Sequence, residues 1–95
     1  MTDRELLELA ALAAGNGAEW YVGLGMGIDC GVSVPMLWNP LEDDELALRL
    51  AVKLGISIDF GVEDRVSANG LSIELGADHY AATRRAIVRA AARNA

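Results

Sequence analysis

The 95-residue sequence is poor in cysteine, lysine and aromatic residues, and each shortage narrows the class of protein. Cys30 is the only cysteine, which excludes a fold held together by internal disulfides. Lys53 is the only lysine, and the 8 basic residues are outnumbered by 14 acidic ones. The net charge of −6 works against general binding of nucleic acid, whose phosphates are also negative. Because aromatic residues make up 5% of the chain and apolar residues 53%, the predicted core is aliphatic.

Long apolar runs and targeting signals are also missing. No apolar run approaches the ~18 residues that a membrane-spanning helix needs. Residues 1–5 lack the basic start and the apolar stretch of a signal peptide. These absences predict a cytoplasmic protein that makes no membrane contact. The length predicts a single domain over residues 1–95.

The strongest pattern is an alternation of apolar residues between positions 20 and 38. A period of two is typical of an extended chain with one buried face, so we predict a hairpin over residues 18–38 with a three-residue loop at 27–29. Cys30 shares the apolar face and is predicted to be a buried, reduced thiol. Tyr21 and Leu37 lie on the opposite face and are predicted to be exposed. The alternating apolar residues are Trp20, Val22, Leu24, Met26, Ile28, Cys30, Val32, Val34, Met36 and Trp38.

The rest of the chain alternates between helical and extended patterns. Helices are predicted over 2–14, from Asn39 or Asp43 to Leu54, and over 77–93, with the second helix the most buried. Strands are predicted over 56–63, including Val62, and over 71–75, joined by a loop at 63–70. The predicted fold is therefore α+β: an α-ββ-α-ββ-α sandwich in which three helices pack on a four-stranded, mainly antiparallel sheet.

The sequence contains no convincing catalytic, cofactor or metal motif. Gly23, Gly25 and Gly27 fail the dinucleotide-binding pattern because no third glycine follows at the required spacing and no helix comes next. The acidic run at 42–45 points around a helix rather than toward one ion. Cys30 and His79 are too few for a zinc site, and a buried Cys30 would not serve as a nucleophile. We therefore predict no catalytic residue, no metal and no cofactor.

Arginines at 85, 89 and 93 form one stripe on the last helix. Two interpretations stay open for this stripe. In one, it is a solvated face paired with Glu5 and Glu8 of the first helix. In the other, it contacts an anion or a partner, since arginine suits bidentate recognition of carboxylate or phosphate. The candidate partner contacts are Tyr21, Leu37, Arg85, Arg89 and Arg93.

Two segments resemble a known family. They are Trp38-Asn39-Pro40-Leu41, continued by Asp43-Asp44 and by residues 47–54, and the closing residues 81–91. Both are similar to small uncharacterised proteins of tailed phages and prophages, the phage ABA sandwich domain family. The resemblance covers residues 38–92, with 1–15 as an extension, and residues 16–37 lie outside it. It implies an α/β sandwich of phage or prophage origin, and it transfers no active site.

These observations favour a binding protein over an enzyme. The predicted function is that of a non-enzymatic phage accessory protein that binds a macromolecule in the bacterial host cytoplasm. Its partner would be a second copy of itself, or a host or phage protein, and one specific version is an inhibitor of a host defence system. A structural or assembly role in the virion is the main alternative and would show as stable association with virions. A small enzyme, the third hypothesis, would need a concave site with perturbed carboxylates.

Overall fold

The computed structural model describes residues 1–61 and 63–95. Within this part of the chain the fold is α+β, with three helices and two three-stranded antiparallel sheets. The predicted class is confirmed, but the single four-stranded sheet is wrong. The elements are α1 (Asp3–Ala14), β1 (Glu19–Tyr21), β2 (Gly25–Ile28), β3 (Met36–Leu37), α2 (Asp44–Leu54), β4 (Ile58–Asp59), β5 (Arg65–Ala68), β6 (Leu71–Glu74) and α3 (His79–Arg93).

Helix α1 begins at a reciprocal cap. The Thr2 hydroxyl accepts a hydrogen bond from the Glu5 backbone N–H at 3.1 Å, and Glu5 Oε1 accepts one from the Thr2 N–H at 3.0 Å. This hydrogen bond from the Thr2 backbone is the main reason why the pKa of Glu5 is lowered. Gly15 ends the helix in the left-handed region with φ of 64°, as the sequence predicts.

The other two helices, α2 and α3, each begin at an aspartate cap. Asp43 and Asp78 each accept a hydrogen bond from the backbone N–H three residues later. The earlier start considered for α2, at Asn39, is wrong. Asn39 instead forms a local turn in which its side-chain oxygen accepts from the Leu41 N–H at 3.1 Å. The chain thus turns once before α2 begins.

The first sheet, sheet A, contains three strands where a single hairpin was predicted. Trp20 pairs with Met26 across β1 and β2, so the turn lies at 22–24 and the predicted loop at 27–29 is wrong. Gly23 and Gly25 have φ of 83° and 99°, a backbone region that other residues rarely adopt. These two glycines therefore place the turn earlier, and β2 then pairs with β3 through Gly27 and Leu37.

Only part of the alternating apolar face is buried. Met26 and Trp38 are 3% and 6% exposed, and Trp20 is partly buried against the core. Cys30 is exposed, so its predicted burial is wrong. The physical reason is that strand pairing stops at Ile28, and residues 29–35 form an irregular loop instead of extending the sheet. We call residues 29–35 the valine loop.

The second sheet, sheet B, contains a strand that the sequence analysis assigned to a loop. Strand β5 lies within the predicted loop at 63–70 and pairs with β6 through a two-residue turn at Asn69 and Gly70. Both turn residues have positive φ, 50° and 81°, which suits the right-handed twist of a tight hairpin. The predicted strand over 56–63 is shorter than expected, because only Ile58 and Asp59 pair with β5. Val62 lies outside the described residues.

Helix α3 lies at the centre of the packing. It contacts α1, α2, β5 and β6, while α1 also contacts β1 and β2. Seven residues of α3 are buried, against three in α2, so the prediction that α2 is the most buried helix is wrong. Leu48 and Val52, on the outer face of α2, are 60% and 74% exposed. The inner face of α2 still joins the core through Leu50.

Leu50→Ala should lower the free energy of unfolding by about 2–5 kcal/mol, because the substitution leaves a cavity at a side chain that is 3% exposed. Leu12→Ala is the matched control, since Leu12 is 70% exposed on α1 and its loss should change stability by no more than about 0.5 kcal/mol. Chemical denaturation followed by circular dichroism measures both. Equal midpoints for the two variants would contradict the packing of α2 on the core.

Candidate interaction surfaces

The pairing register places Tyr21 and Leu37 on the same face of sheet A, opposite Met26. Leu37 is 55% exposed, and Tyr21 is half-buried because its ring covers Gly27. A Cβ atom at Gly27 would lie 3.1 Å from Pro35 Cβ and 3.3 Å from Tyr21 Cδ2, so this glycine allows the close approach. Partial burial, followed by the neighbouring Glu19 carboxylate, raises the pKa of Tyr21.

A cleft beside sheet A includes Leu37. It has a volume of about 470 Å³ and is bordered by α1, the turn at 22–24 and the segment before α2. Arg4 covers the Trp20 ring, with its Cζ 4.8 Å from the ring centroid, a cation–π contact that also shields the indole. Leu24, which was expected on the buried face, lines this cleft and is 51% exposed.

The arginine stripe lines a second cleft, at the other side of α1. We call it the arginine cleft, and it has a volume of about 420 Å³. Arg85 Nη2 lies 2.9 Å from Asp3 Oδ1. The pairing with Glu5 and Glu8 that the first interpretation included is wrong, because Glu5 caps its own helix and Glu8 pairs with Arg4. The lining residues are Met1, Leu6, Leu71, Arg85, Arg89, Ala92 and Arg93.

The structure therefore places the predicted contact residues on two surfaces. Leu37 lines the cleft beside sheet A, and the three arginines line the arginine cleft.

The sequence analysis did not identify Arg84, the residue before the arginine stripe, as important. Its side chain is 16% exposed, with Nε donating to the Leu41 carbonyl at 2.8 Å and Nη1 lying 2.6 Å from Asp44 Oδ1. Arg84 thus ties α3 to the start of α2, and no local pattern in the sequence marks this contact between residues 40 or more positions apart.

A third surface lies between α2 and the start of α3. Leu48, Phe60 and Tyr80 are 60%, 58% and 73% exposed and border a groove of about 410 Å³. Ile58 of the edge strand β4 and the buried Ile87 complete its floor. Phe60 lies within the predicted strand over 56–63, but β4 ends at Asp59, so Phe60 extends beyond the paired residues.

The chemistry-bearing residues are dispersed. Across residues 1–61 and 63–95, no group of three or more His, Cys, Asp and Glu side chains is placed to hold a metal ion. His79 begins α3 and borders the third groove, whereas Cys30 lies in the valine loop with Sγ 4.0 Å from the Val34 carbonyl oxygen. Among the described helices, none combines the length and the apolar character required to cross a membrane.

No family model, curated protein or solved structure matches this chain. The resemblance to the phage ABA sandwich family therefore stays a prediction that rests on the two segments at 38–54 and 81–91.

Cys30 should react with a thiol reagent in the native protein at a rate comparable with that in denaturant, because its side chain is exposed in the valine loop. A matched control is Cys30→Ser combined with Met26→Cys, which moves the thiol to a site that is 3% exposed. That variant should be protected until it unfolds. Rapid labelling at position 26, or protection at position 30, would show that the arrangement of sheet A is wrong.

Proposed function

We propose that this chain is a non-enzymatic accessory protein that acts by binding a macromolecular partner through sheet A and its two loops. The single observation that carries the proposal is the density of exposed apolar side chains in this region. Among the described residues, six large apolar side chains between positions 22 and 37 are more than half exposed to solvent. They are Val22, Leu24, Val32, Val34, Met36 and Leu37.

Such a density differs from ordinary surface composition. Single exposed apolar residues occur on every protein, whereas these six lie within one stretch of the chain, on β3 and on the loops at either end of β2. Val22 is 94% exposed on the turn at 22–24, while Val32 and Val34 are 68% and 59% exposed on the valine loop. Burial of this surface by a partner would be favourable by roughly 25 cal/mol for each Å² of apolar area removed from water. The loops at both ends of β2 therefore supply a driving force for association.

Local hydrogen bonds in both loops support the same interpretation. The turn at 22–24 is held by the Leu24 N–H donating to the Tyr21 carbonyl at 3.0 Å, and Asp29 accepts from the Gly31 N–H at 3.0 Å where the valine loop begins. Pro35, packed over Gly27, holds the end of that loop. A surface ordered before binding loses less conformational entropy when it binds.

The biological setting is proposed from the resemblance. A phage or prophage origin would place the protein in the bacterial host cytoplasm, and a component of a host defence system is then one specific partner. The net charge of −6 disfavours nucleic acid as that partner. A second copy of the chain, or a virion protein, could cover the same surface, and the experiment has to separate these partners.

Cys30 lies near the start of the valine loop, two residues before Val32, and serves as a native site for a chemical probe. We expect a photocrosslinker attached to Cys30 to form a covalent adduct with one partner in lysate of a phage-infected bacterial host. The chain has no other cysteine, so the label is confined to the proposed surface. Mass spectrometry of the adduct distinguishes a host protein, a virion protein and a second copy of the chain.

The matched control moves the probe away from sheet A. In Cys30→Ser with Leu12→Cys, the label sits on the exposed outer face of α1, where Leu12 is 70% exposed. Val32→Ser with Val34→Ser, labelled at Cys30, should lose the adduct because the apolar contact is removed. Equal adducts from positions 12 and 30, or no adduct from position 30, would contradict the proposed surface.

A further inference from the structure

The arginine cleft concentrates positive charge on an acidic protein. Three of the 8 basic residues line this one cleft, although the chain as a whole has a net charge of −6. Arg85 is held by Asp3 at 2.9 Å. Within the part of the chain that the structure describes, no ion pair or side-chain hydrogen bond involves Arg89 or Arg93. Two guanidinium groups thus remain available to a ligand.

Helix stability does not account for this arrangement. A cation in the last turn is favoured by the helix macrodipole, which explains Arg93. The effect fades within one turn, so it does not explain Arg89 or Arg85. Like charges four residues apart also repel each other across a helix turn. Repulsion between Arg89 and Arg93 therefore remains uncompensated within the described part of the protein, and an external anion would relieve it.

The wall of the cleft is apolar. Leu6 is 5% exposed and Ala92 is 9% exposed, and both lie beside the arginines. Leu71 begins β6, which lies at the edge of sheet B and has a strand neighbour on one side only. An extended segment would find the beginning of an edge strand and an apolar wall there. This combination suits a peptide better than a bare oxyanion.

Spacing makes the match specific. Residues four apart on a helix are separated by about 6 Å along its axis. In an extended peptide, side chains two residues apart point to the same side and are separated by about 6.6 Å. Acidic side chains at alternate positions would therefore meet Arg89 and Arg93 together, each in the fork geometry that arginine offers a carboxylate.

We infer that the arginine cleft binds an extended segment of a partner protein in which acidic residues occupy alternate positions. The carboxylates pair with Arg89 and Arg93, and the peptide lies along the apolar wall that includes Leu6 and Leu71. Arg85 is already paired with Asp3 and lies at the border of the site. This surface is separate from sheet A, so the inference does not depend on the function proposed above.

Two synthetic peptides of identical composition test the spacing. One carries two glutamates at alternate positions between leucines, and the other carries the same residues with the glutamates adjacent. Adjacent side chains of an extended chain point to opposite sides, so only the first peptide can reach both arginines. Binding is followed by amide chemical shifts during titration of the full chain. We expect the alternate peptide to bind more tightly and to shift residues of the arginine cleft.

Charge variants supply the control. Arg89→Gln with Arg93→Gln should weaken binding of the alternate peptide by about 2- to 30-fold, the loss expected for two exposed ion pairs. Arg49→Gln with Lys53→Gln removes the same two charges from the exposed face of α2, away from the cleft, and should leave the affinity unchanged. Circular dichroism confirms that both variants fold, which is expected because these side chains are exposed.

Several results would overturn the inference. Equal affinity for the two peptides, or an equal loss of affinity in the two charge variants, would mean that the peptide binds by general electrostatic attraction. Displacement of the peptide by an equal concentration of inorganic phosphate would make the cleft a simple oxyanion site. The absence of shifts in the cleft at the highest peptide concentration would also contradict it.

Discussion

The whole fold depends on the close packing of α3 against its neighbours. Ala86, Val88 and Ala91 are completely buried, and the helix contacts α1, α2 and two strands of sheet B. Small side chains let the helix axes approach closely, so several elements can share one core although the chain has few large aromatic residues. Arg84 reinforces this arrangement by donating to the Leu41 carbonyl at the start of the α2 region. A bulky side chain at a buried position of α3 would therefore disturb the packing of the element that covers that position.

The helices were predictable from the sequence because their signals are local. Thr2, Asp43 and Asp78 each cap a helix through an atom within three residues, and Gly15 ends α1 through its own backbone angle. The strands were less predictable, because their pairing depends on where the turns fall. An Asn-Gly pair is the strongest short hairpin signal, and greater weight on residues 69–70 would have revealed β5.

The alternating segment shows why a correct period can give a wrong burial. A period of two reports an extended chain, but a face is buried only where another element covers it. Helix α1 contacts β1 and β2, so Met26 is buried. The valine loop leaves the sheet after Ile28, so Val32 and Val34 keep their apolar character without a covering element. The wrong prediction that this apolar face is buried and the proposed interaction surface therefore have the same cause: no described element covers the valine loop.

Neighbouring arginines on α3 illustrate how much of a site lies beyond sequence reasoning. Arg84 is mostly buried and serves the fold, whereas Arg85 is bound to Asp3 from the far end of the chain. Arg89 lies one turn further and stays exposed. Helical spacing alone grouped residues 85, 89 and 93, and the cleft contains all three. Arg85 is neutralised by Asp3, a residue 82 positions earlier in the chain. Because Asp3 pairs with Arg85, the proposed ligand would meet Arg89 and Arg93.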